Sequence, residues 1–392
     1  MATSDSGLLN ADGRRVLSTL TLHVFTPCLL FSKLAVGSGV GELVRCWVIS
    51  ANMVASHVVG LLLGLLAVRA AAVPARLRNQ VVLCCGVGNV GNLPFMLLAG
   101  LAADPGLPFA AALGPAGAAE LAMRYVALSN LTAALIQFPL THAFLQQPAQ
   151  QQQQQQQELA APKAAVLETP HPAAEAASRQ PAQPPQPPLP SPSPPSPWRA
   201  LAAGVLSPPT LASVAGVLVA SCEGLQATLF SPTGCLRLVG ELADGLGAVC
   251  IPLLLLVLGA NLAAGPGVAA GRLPPAAALA TVATRLLVLP AVCGAALLAA
   301  WGAGHLPGTD PLAVLVMLVM HATPTAVLVH SMATIFSNAE DEVAALLFWQ
   351  YAASLVSLPV AIGAALATLG PAAAVPGAWA GLAAAAAAVT AA

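Results

Sequence analysis

Two Asn side chains lie in the middle of a long apolar stretch of this chain. Residues 88–92 read GNVGN, and Pro94 follows them. Glycine permits positive φ, proline has no backbone N–H, and an Asn amide both donates and accepts hydrogen bonds. The combination predicts an interrupted helix. The helix that begins after the interruption points free N–H groups and the positive end of its dipole at the gap, which favours a carboxylate or another small anion.

A second polar group interrupts an apolar stretch nearer the C-terminus. Thr323, Pro324 and Thr325 form it, and His321 and His330 flank it. Each His is either a proton-linked switch, because imidazole titrates near neutral pH, or a hydrogen-bonded interior residue. The alternative for the interruptions is that small residues simply let neighbouring helices approach closely. Because two Asn side chains and a proline exceed what packing requires, we favour a binding site.

Two further prolines mark a repeated pattern. Pro27 in FTPCLLFSKLA and Pro252 in CIPLLLLVLGANLA each precede an apolar run that leads to a polar residue, Lys33 in the first case and Asn261 in the second. A proline inside a helix frees the carbonyl four residues back and bends the helix. The proline and the later interruption recur in the same order in both halves of the chain. Interrupted segments at corresponding positions are the best sequence indication of a transporter's binding site.

The composition places these segments in a membrane. Of the 392 residues, 57% are hydrophobic and only 7% are charged, whereas a soluble domain has about 25% charged residues. The net charge of −1 provides no basic surface for nucleic acid. The chain has no HExxH, GxSxG or paired CxxC pattern, so we expect no enzyme activity, no metal and no cofactor. Cys222 and Cys235 flank one polar loop and are either unpaired or joined in an oxidising lumen.

The chain divides into two membrane units. A helix needs about 20 apolar residues to cross a bilayer, and we predict nine spans, with edges uncertain by several residues, at about 16–36, 43–68, 80–100, 119–145, 201–221, 236–263, 273–301, 311–336 and 343–369. Residues 146–199, rich in Gln and Pro, predict a disordered linker. The predicted domains are thus 1–145 with four spans, the linker, 200–370 with five spans, and an Ala-rich tail at 371–392.

Lys and Arg predict the orientation, because they are enriched in cytosolic loops. If all nine spans cross, nine basic residues fall on the side of the linker, namely Arg14, Arg15, Arg69, Arg76, Arg78, Lys163, Arg179, Arg199 and Arg272. Four fall on the other side, namely Lys33, Arg45, Arg124 and Arg237. The linker is therefore expected to be cytosolic.

Two ionisable residues are candidates for coupling. Asp244 lies near the start of the sixth predicted span and Arg285 lies within the seventh. Asp244 either takes up a proton or neutralises Arg285, or both side chains are hydrated at an interface. Lys33 ends its span and is expected to extend its ammonium group outward.

The ordered motifs resemble the PIN-LIKES proteins, an auxin efflux carrier-like family. FTPCLLFSKLA and GNVGN resemble two family motifs, and LSPPT, LGANL, RLLVLP, LPGTDP and LLFWQY follow in family order. The resemblance implies an all-α fold of two inverted five-helix repeats with two crossed broken helices. It also implies the endoplasmic reticulum membrane and transport of indole-3-acetic acid. The family's first helix has no counterpart here, and Leu328 stands where the family has an Asn.

The sequence therefore predicts a transmembrane carrier of a small organic anion, with auxin as the substrate. The alternative is a membrane regulator or scaffold that kept the fold without transporting; an intramembrane hydrolase lacks the required motifs. The candidate substrate-binding residues are Gly88, Asn89, Gly91, Asn92, Pro94, Pro324, Thr325, Pro27, Pro252 and Asn261. The candidates for proton or charge coupling are Asp244, Arg285, His321 and His330. The expected partners are the carboxylate and the lipid bilayer, and the sequence gives no oligomeric state.

Overall fold

The computed structural model describes residues 11–37, 39–146, 206–263, 273–306 and 308–373, and these residues are helical apart from short connections. The helices of the first part are α1 Ala11–Leu20, α2 Thr26–Gly37, α3 Val40–Arg45, α4 Trp47–Ala70, α5 Arg78–Gly86, α6 Asn92–Ala102, α7 Pro108–Leu113 and α8 Pro115–Leu145. Those of the second part are α9 Pro208–Ser221, α10 Glu223–Phe230, α11 Arg237–Ala263, α12 Pro275–Ala283, α13 Leu289–Gly302, α14 Pro311–Ala322, α15 Val327–Ile335 and α16 Glu340–Ala373. The predicted linker, beyond Gln146, and the tail after Ala373 lie outside the described residues.

Several described helices are long and apolar enough to cross a membrane. Four continuous stretches meet this requirement: Asp12–Val36, Trp47–Ala70, Pro275–Gly302 and Glu340–Gly370. The pair α9 and α10, which bends by 108° at Cys222, is a fifth if it forms one span. An all-helical membrane protein is thus confirmed, with four or five such spans in the described part where the sequence predicts nine. Two of the nine are broken helices, whose halves are too short to cross alone.

The helices pack as two groups. In the first group, α2 packs against α9 and α11. Its contact with α11 is very close, since a Cβ on Gly247 would lie 2.7 Å from the Cα of Leu29. The second group contains α4 to α8 and α12 to α16, with α4 against α5, α6 against α8, and α14 against α16. This division matters because the candidate site lies between the two groups.

Two π-helical turns precede prolines inside long helices. Thr21–Phe25 joins α1 to α2 just before Pro27, and Thr284–Val288 joins α12 to α13 just before Pro290. A proline has no N–H and collides with the carbonyl four residues back, so one wider turn lets the helix continue. The expected distortion at Pro27 takes this form. Pro252, in contrast, lies within the continuous helix α11.

Both predicted interruptions are present. One helix ends at Gly86 and resumes at Asn92, and the other ends at Ala322 and resumes at Val327. The N-terminus of α14 is held by Asp310, whose carboxylate accepts hydrogen bonds from the N–H groups of Leu312 and Ala313. Burial raises the pKa of the Asp310 carboxyl, and the hydrogen bond from the Tyr125 hydroxyl opposes this effect.

One end of the molecule has a cluster of charged and polar residues. At this end Arg76 pairs with Glu342, and the Nη2 of Arg15 donates to the carbonyl of Ile335 at 3.2 Å. Asn338 lies there too, and its Nδ2 donates to the carbonyl of Leu145 at 2.8 Å, so it joins two elements. These residues lie near the ends that the sequence assigns to the side of the linker.

Candidate functional site

The two interruptions meet and pair with each other. Gly88 and Thr325 form an antiparallel bridge. The N–H of Asn89 donates to the carbonyl of Pro324 at 2.7 Å, and the N–H of Ala326 donates to the carbonyl of Val87 at 3.0 Å. Unwound backbone is tolerated at membrane depth only where protein or water satisfies it. The two breaks satisfy part of each other's requirement, and we call this place the crossing.

Helix α16 supports the crossing from behind. The Oε1 of Gln350 accepts from the N–H of Thr325 at 2.9 Å and from its hydroxyl at 2.7 Å. The Tyr351 hydroxyl accepts from the Nδ2 of Asn89 at 2.8 Å and donates to the carbonyl of Thr325 at 3.2 Å. We did not predict a role for these two residues. A Gln next to a Tyr in an apolar helix was the only signal in the sequence.

A second polar contact comes from α8. The Nε2 of Gln137 donates to the carbonyl of Gly88 at 2.9 Å and lies 3.0 Å from the Nε2 of His57. The Nδ1 of His57 lies 2.7 Å from the carbonyl of Met53, which can only accept. His57 therefore carries its proton on Nδ1 and accepts from Gln137 through Nε2. The sequence gives no local signal for either side chain, because neither stands in an interrupted segment.

Among the four candidates for proton or charge coupling, Arg285 is the one whose side chain contacts the crossing. It is 1% exposed. Its Nε donates to the carbonyl of Thr323 at 2.8 Å, its Nη1 to the carbonyl of Cys85 at 3.3 Å, and its Nη2 to the Thr323 hydroxyl at 3.3 Å. Of the alternatives drawn from the sequence, the one in which Asp244 neutralises Arg285 is wrong. Asp244 instead pairs with Lys33 at 2.9 Å on a half-exposed surface, which an Arg buried at the crossing cannot reach.

The two candidate histidines are interior residues. The Nδ1 of His321 lies 3.0 Å from the Ser56 hydroxyl and its Nε2 lies 3.2 Å from the Oδ1 of Asn52, which links α14 to α4. His330 is fully buried on α15. Neither residue lines the cavities described below. Of the two interpretations drawn from the sequence, their positions favour the interior one.

A cavity of about 110 Å³ lies against the crossing, between the two helical groups. One wall consists of the π turn Thr21–Phe25, α2 and α11, and the other consists of the crossing, α8 and α15. Its polar side chains come from both walls and are Thr21, Thr26, Asn89, Asn130, Gln137 and Ser331. The backbone N–H groups of Val327 and Leu328, at the start of α15, have no acceptor among the described residues.

Ser331 is the most informative residue of the cavity. It is 3% exposed, and its hydroxyl has no hydrogen-bond partner among the described residues. A buried hydroxyl without a partner is costly, and native proteins rarely leave one unsatisfied unless a ligand or water completes it. Ser331 and the two free amides of Val327 and Leu328 lie on one turn of α15. All three residues line the cavity, and we call them the donor set.

The structure brings together only some of the predicted site residues. Gly88, Asn89 and Gly91 line the cavity. Pro324 and Thr325 form the crossing itself, and Pro94 is buried in the first turn of α6. Pro27 is half-buried and Pro252 is exposed, and neither lines the cavity. The side chains of Asn92 and Asn261 lie outside the described part of the structure.

A wider cleft of about 690 Å³ lies further along α2, α8 and α11, which also contribute to the cavity. Three ion pairs line it, and they join Lys33 to Asp244 at 2.9 Å, Arg124 to Glu120 at 2.7 Å and Arg237 to Glu241 at 2.6 Å. We call it the charged cleft. Lys33 therefore does not extend freely outward as the sequence suggested. The cleft lies at the end of the molecule assigned to the side opposite the linker.

Comparison with known proteins places the chain among membrane transport proteins. The profile of a family described as Membrane transport protein matches residues 1–362. The chain belongs to this family. PIN-LIKES 1 of Arabidopsis thaliana is 24% identical over 367 residues, which cover 92% of this chain and 74% of that protein. PIN-LIKES 7 and PIN-LIKES 5 of the same plant are 24% and 25% identical, and each alignment covers 92% of this chain and 91% of the relative.

These matches confirm the resemblance drawn from the sequence motifs. The chain is an integral membrane transporter and not an enzyme, so it acts on a small molecule that crosses the membrane. All eight cysteines, which lie in the described part, are unpaired, including Cys222 and Cys235. The His, Cys, Asp and Glu residues of the described part form no cluster that would hold a metal ion.

Proposed function

We propose that the chain carries a small organic anion, most specifically the auxin indole-3-acetic acid, across the endoplasmic reticulum membrane. The observation that supports this most is the donor set at the start of α15. Val327, Leu328 and Ser331, which carry two free backbone amides and an unpartnered hydroxyl, line the cavity at the crossing. Backbone N–H groups that can only donate, together with a hydroxyl that can donate, are suited to a carboxylate.

The partial positive charge of the helix N-termini at the crossing matches an anion with a single negative charge. Both α6 and α15 begin at the crossing, and each helix N-terminus carries roughly half a positive charge. Together they match one carboxylate. The rest of the cavity is mostly apolar, with Leu29, Leu30 and Phe138 among its lining residues, which suits an aromatic group.

The size of the cavity implies a moving carrier. Its volume of about 110 Å³ is smaller than the roughly 300–1,000 Å³ of typical ligand pockets. Because its walls belong to two separate helical groups, a shift of one group against the other would widen it. We propose that this shift, within nine spans arranged as two imperfect inverted repeats, alternately exposes the site to the charged cleft and to the opposite side.

Leu328 favours a second candidate function. This residue lines the cavity at the position where the motif resemblance predicts an Asn amide. A chain without that amide has lost one donor or acceptor for substrate. The corresponding proposal is a membrane regulator or scaffold that keeps the carrier fold and does not transport.

The test compares two unpartnered hydroxyls. Ser331 lines the cavity, whereas Ser357 on α16 also has a buried hydroxyl without a partner but does not line it. Purified Ser331→Ala and Ser357→Ala are compared with wild type for binding of labelled indole-3-acetic acid and for uptake into vesicles. We expect Ser331→Ala to weaken binding about tenfold, the effect of one lost hydrogen bond to a charged group, and Ser357→Ala to leave it unchanged.

Stability distinguishes this effect from damage to the fold. Both variants remove an unsatisfied polar group, so neither should lower the thermal unfolding midpoint. Equal affinity in the wild type and Ser331→Ala would contradict the assigned site. Binding without uptake by wild type would support the regulator, and a wild type that neither binds nor transports the acid would exclude it as substrate.

A further inference from the structure

The proposed function uses the two helix N-termini at the crossing. It gives no role to the two helix C-termini that also lie there. Helix α5 ends at Gly86 and α14 ends at Ala322. The last carbonyls of a helix lack N–H donors within the helix, and its C-terminus carries roughly half a negative charge. Two such ends meet at one point inside the protein, so they repel each other and need a positive charge between them.

The Arg285 guanidinium lies at that point. Its three hydrogen bonds run to the carbonyl of Cys85 in the last turn of α5 and to the carbonyl and hydroxyl of Thr323, which caps α14. None of the ion pairs between described residues includes it. Its charge of one unit therefore matches the sum of the two helix ends.

Arg285 does not line the cavity, so it is separate from the donor set for the anion. It nevertheless touches the backbone of the break, since a Cβ on Gly88 would lie 1.9 Å from its Nη2. In transporters with broken helices, half-helix C-terminal ends and unwound carbonyls are the groups that coordinate a cation. Here a side chain of the protein occupies the equivalent position.

We propose that Arg285 is a tethered counter-cation that positions the anion site. By neutralising the two helix C-termini it holds both breaks in register, which keeps the N-termini of α6 and α15 directed at the cavity. Removal of the guanidinium would leave a carbonyl-lined vacancy that selects a small cation. The binding and uptake readouts rest on the proposed function, whereas the vacancy does not.

The experiment compares Arg285→Lys, Arg285→Gln and Arg285→Ala in the purified full-length protein. Lys keeps the charge, Gln keeps polarity without charge, and Ala leaves the vacancy. Arg69→Ala is the control, because Arg69 is exposed at the end of α4. Each protein is measured for its thermal unfolding midpoint and for affinity to indole-3-acetic acid, in chloride salts of methylguanidinium, sodium or choline at equal low concentration.

We expect Arg285→Gln and Arg285→Ala to have lower midpoints and affinities about tenfold weaker or more, and Arg285→Lys to lie between them and wild type. Methylguanidinium or sodium should raise the midpoint of Arg285→Ala and restore its affinity, whereas choline, which is too large for the vacancy, should not. Arg69→Ala should match wild type in every salt.

Three results would overturn the proposal. One is an Arg285→Ala protein with the midpoint and affinity of wild type, and another is an identical response of this variant to choline and methylguanidinium. The third applies if Arg285→Ala does not fold in any salt. In that case, an unfolding midpoint and affinity of Arg285→Lys as low as those of Arg285→Gln would overturn the proposal. If wild type does not bind the acid, the proposed substrate is wrong, but the salt-dependent midpoints still decide the role of Arg285.

Discussion

Gly88 is the residue at which the crossing has least room. A methyl group there would lie 1.9 Å from the Nη2 of Arg285, so either the guanidinium or the break must move. We expect Gly88→Ala to lower the free energy of unfolding by about 1–3 kcal/mol, as overpacking does, and to weaken anion binding. Gly91→Ala is the matched control, because its nearest neighbour, the Oδ1 of Asn130, would be 3.3 Å away. Equal unfolding midpoints for the two variants would show that the guanidinium contact is unimportant.

Gln350 gives a second prediction at this scale. Its Oε1 accepts from both the N–H and the hydroxyl of Thr325. Gln350→Leu leaves the buried N–H unpaired, whereas the hydroxyl keeps the carbonyl of Cys84 as an acceptor. The expected loss of stability is about 1–3 kcal/mol. Gln226→Leu removes the hydrogen bonds to the carbonyls of Ala35 and Val36 at a half-buried position and should cost less. Denaturant titration of both variants in detergent measures the difference, and a larger loss for Gln226→Leu would refute the argument.

The sequence predicted the breaks better than the residues that support them. Asn89 and Pro324 stand in runs whose Gly, Pro and Asn content has a local meaning, so they can be recognised without a partner. Tyr351 and Gln137 act through contacts with residues far away in the chain. No local pattern specifies such contacts. The wrong pairing of Asp244 with Arg285 has the same cause.

At the scale of elements, the backbones of α4 and α5 approach closely at two glycines of α4. A Cβ on Gly60 would lie 2.9 Å from the Cα of Gly86 and 3.0 Å from the carbonyl oxygen of Cys85, and Gly64 is similarly close to the Cα of Val82. Gly60 and Gly64 are one turn apart, the spacing that lets membrane helices approach closely. The same Cys85 carbonyl accepts a hydrogen bond from Arg285, so this packing also positions the crossing.

The corresponding prediction is that Gly60→Ala separates α4 from α5 and lowers the unfolding midpoint, because only backbone atoms could move aside. Gly363→Ala on α16 is the control. A Cβ there meets open space, so the better helix propensity of Ala should leave stability unchanged or raise it by up to about 1 kcal/mol. Thermal unfolding in detergent distinguishes the two. A tolerated Gly60→Ala would mean that the helices are not in close contact.

Proline and glycine predict where helices break, but they do not predict every distortion of a helix. The breaks between α5 and α6 and between α14 and α15 follow from helix-disfavouring residues in apolar runs. The π turn at Thr284–Val288 and the 108° bend at Cys222 were not predicted. A helix with a proline either bends, breaks or widens by one turn, and packing by neighbouring helices decides between these outcomes.

At the scale of the whole molecule, the two charged ends define an orientation. The linker is expected on the cytosolic side, and Cys222 and Cys235, which are exposed near the charged cleft end, on the other side. In sealed vesicles with the cytosolic face outward, protease should therefore cut the linker. A maleimide that cannot cross membranes should label these two cysteines only after permeabilisation. A variant with both changed to Ala identifies the signal, and labelling of intact vesicles would reverse the orientation.

If the anion binds where the two broken helices cross, a structure of the full chain with saturating indole-3-acetic acid, determined by electron cryomicroscopy, should show it there. We expect the carboxylate within hydrogen-bonding distance of the Val327 and Leu328 amides and the Ser331 hydroxyl, with the ring against Phe138. Ligand density in the charged cleft beside Lys33, with an empty cavity at the crossing, would contradict it.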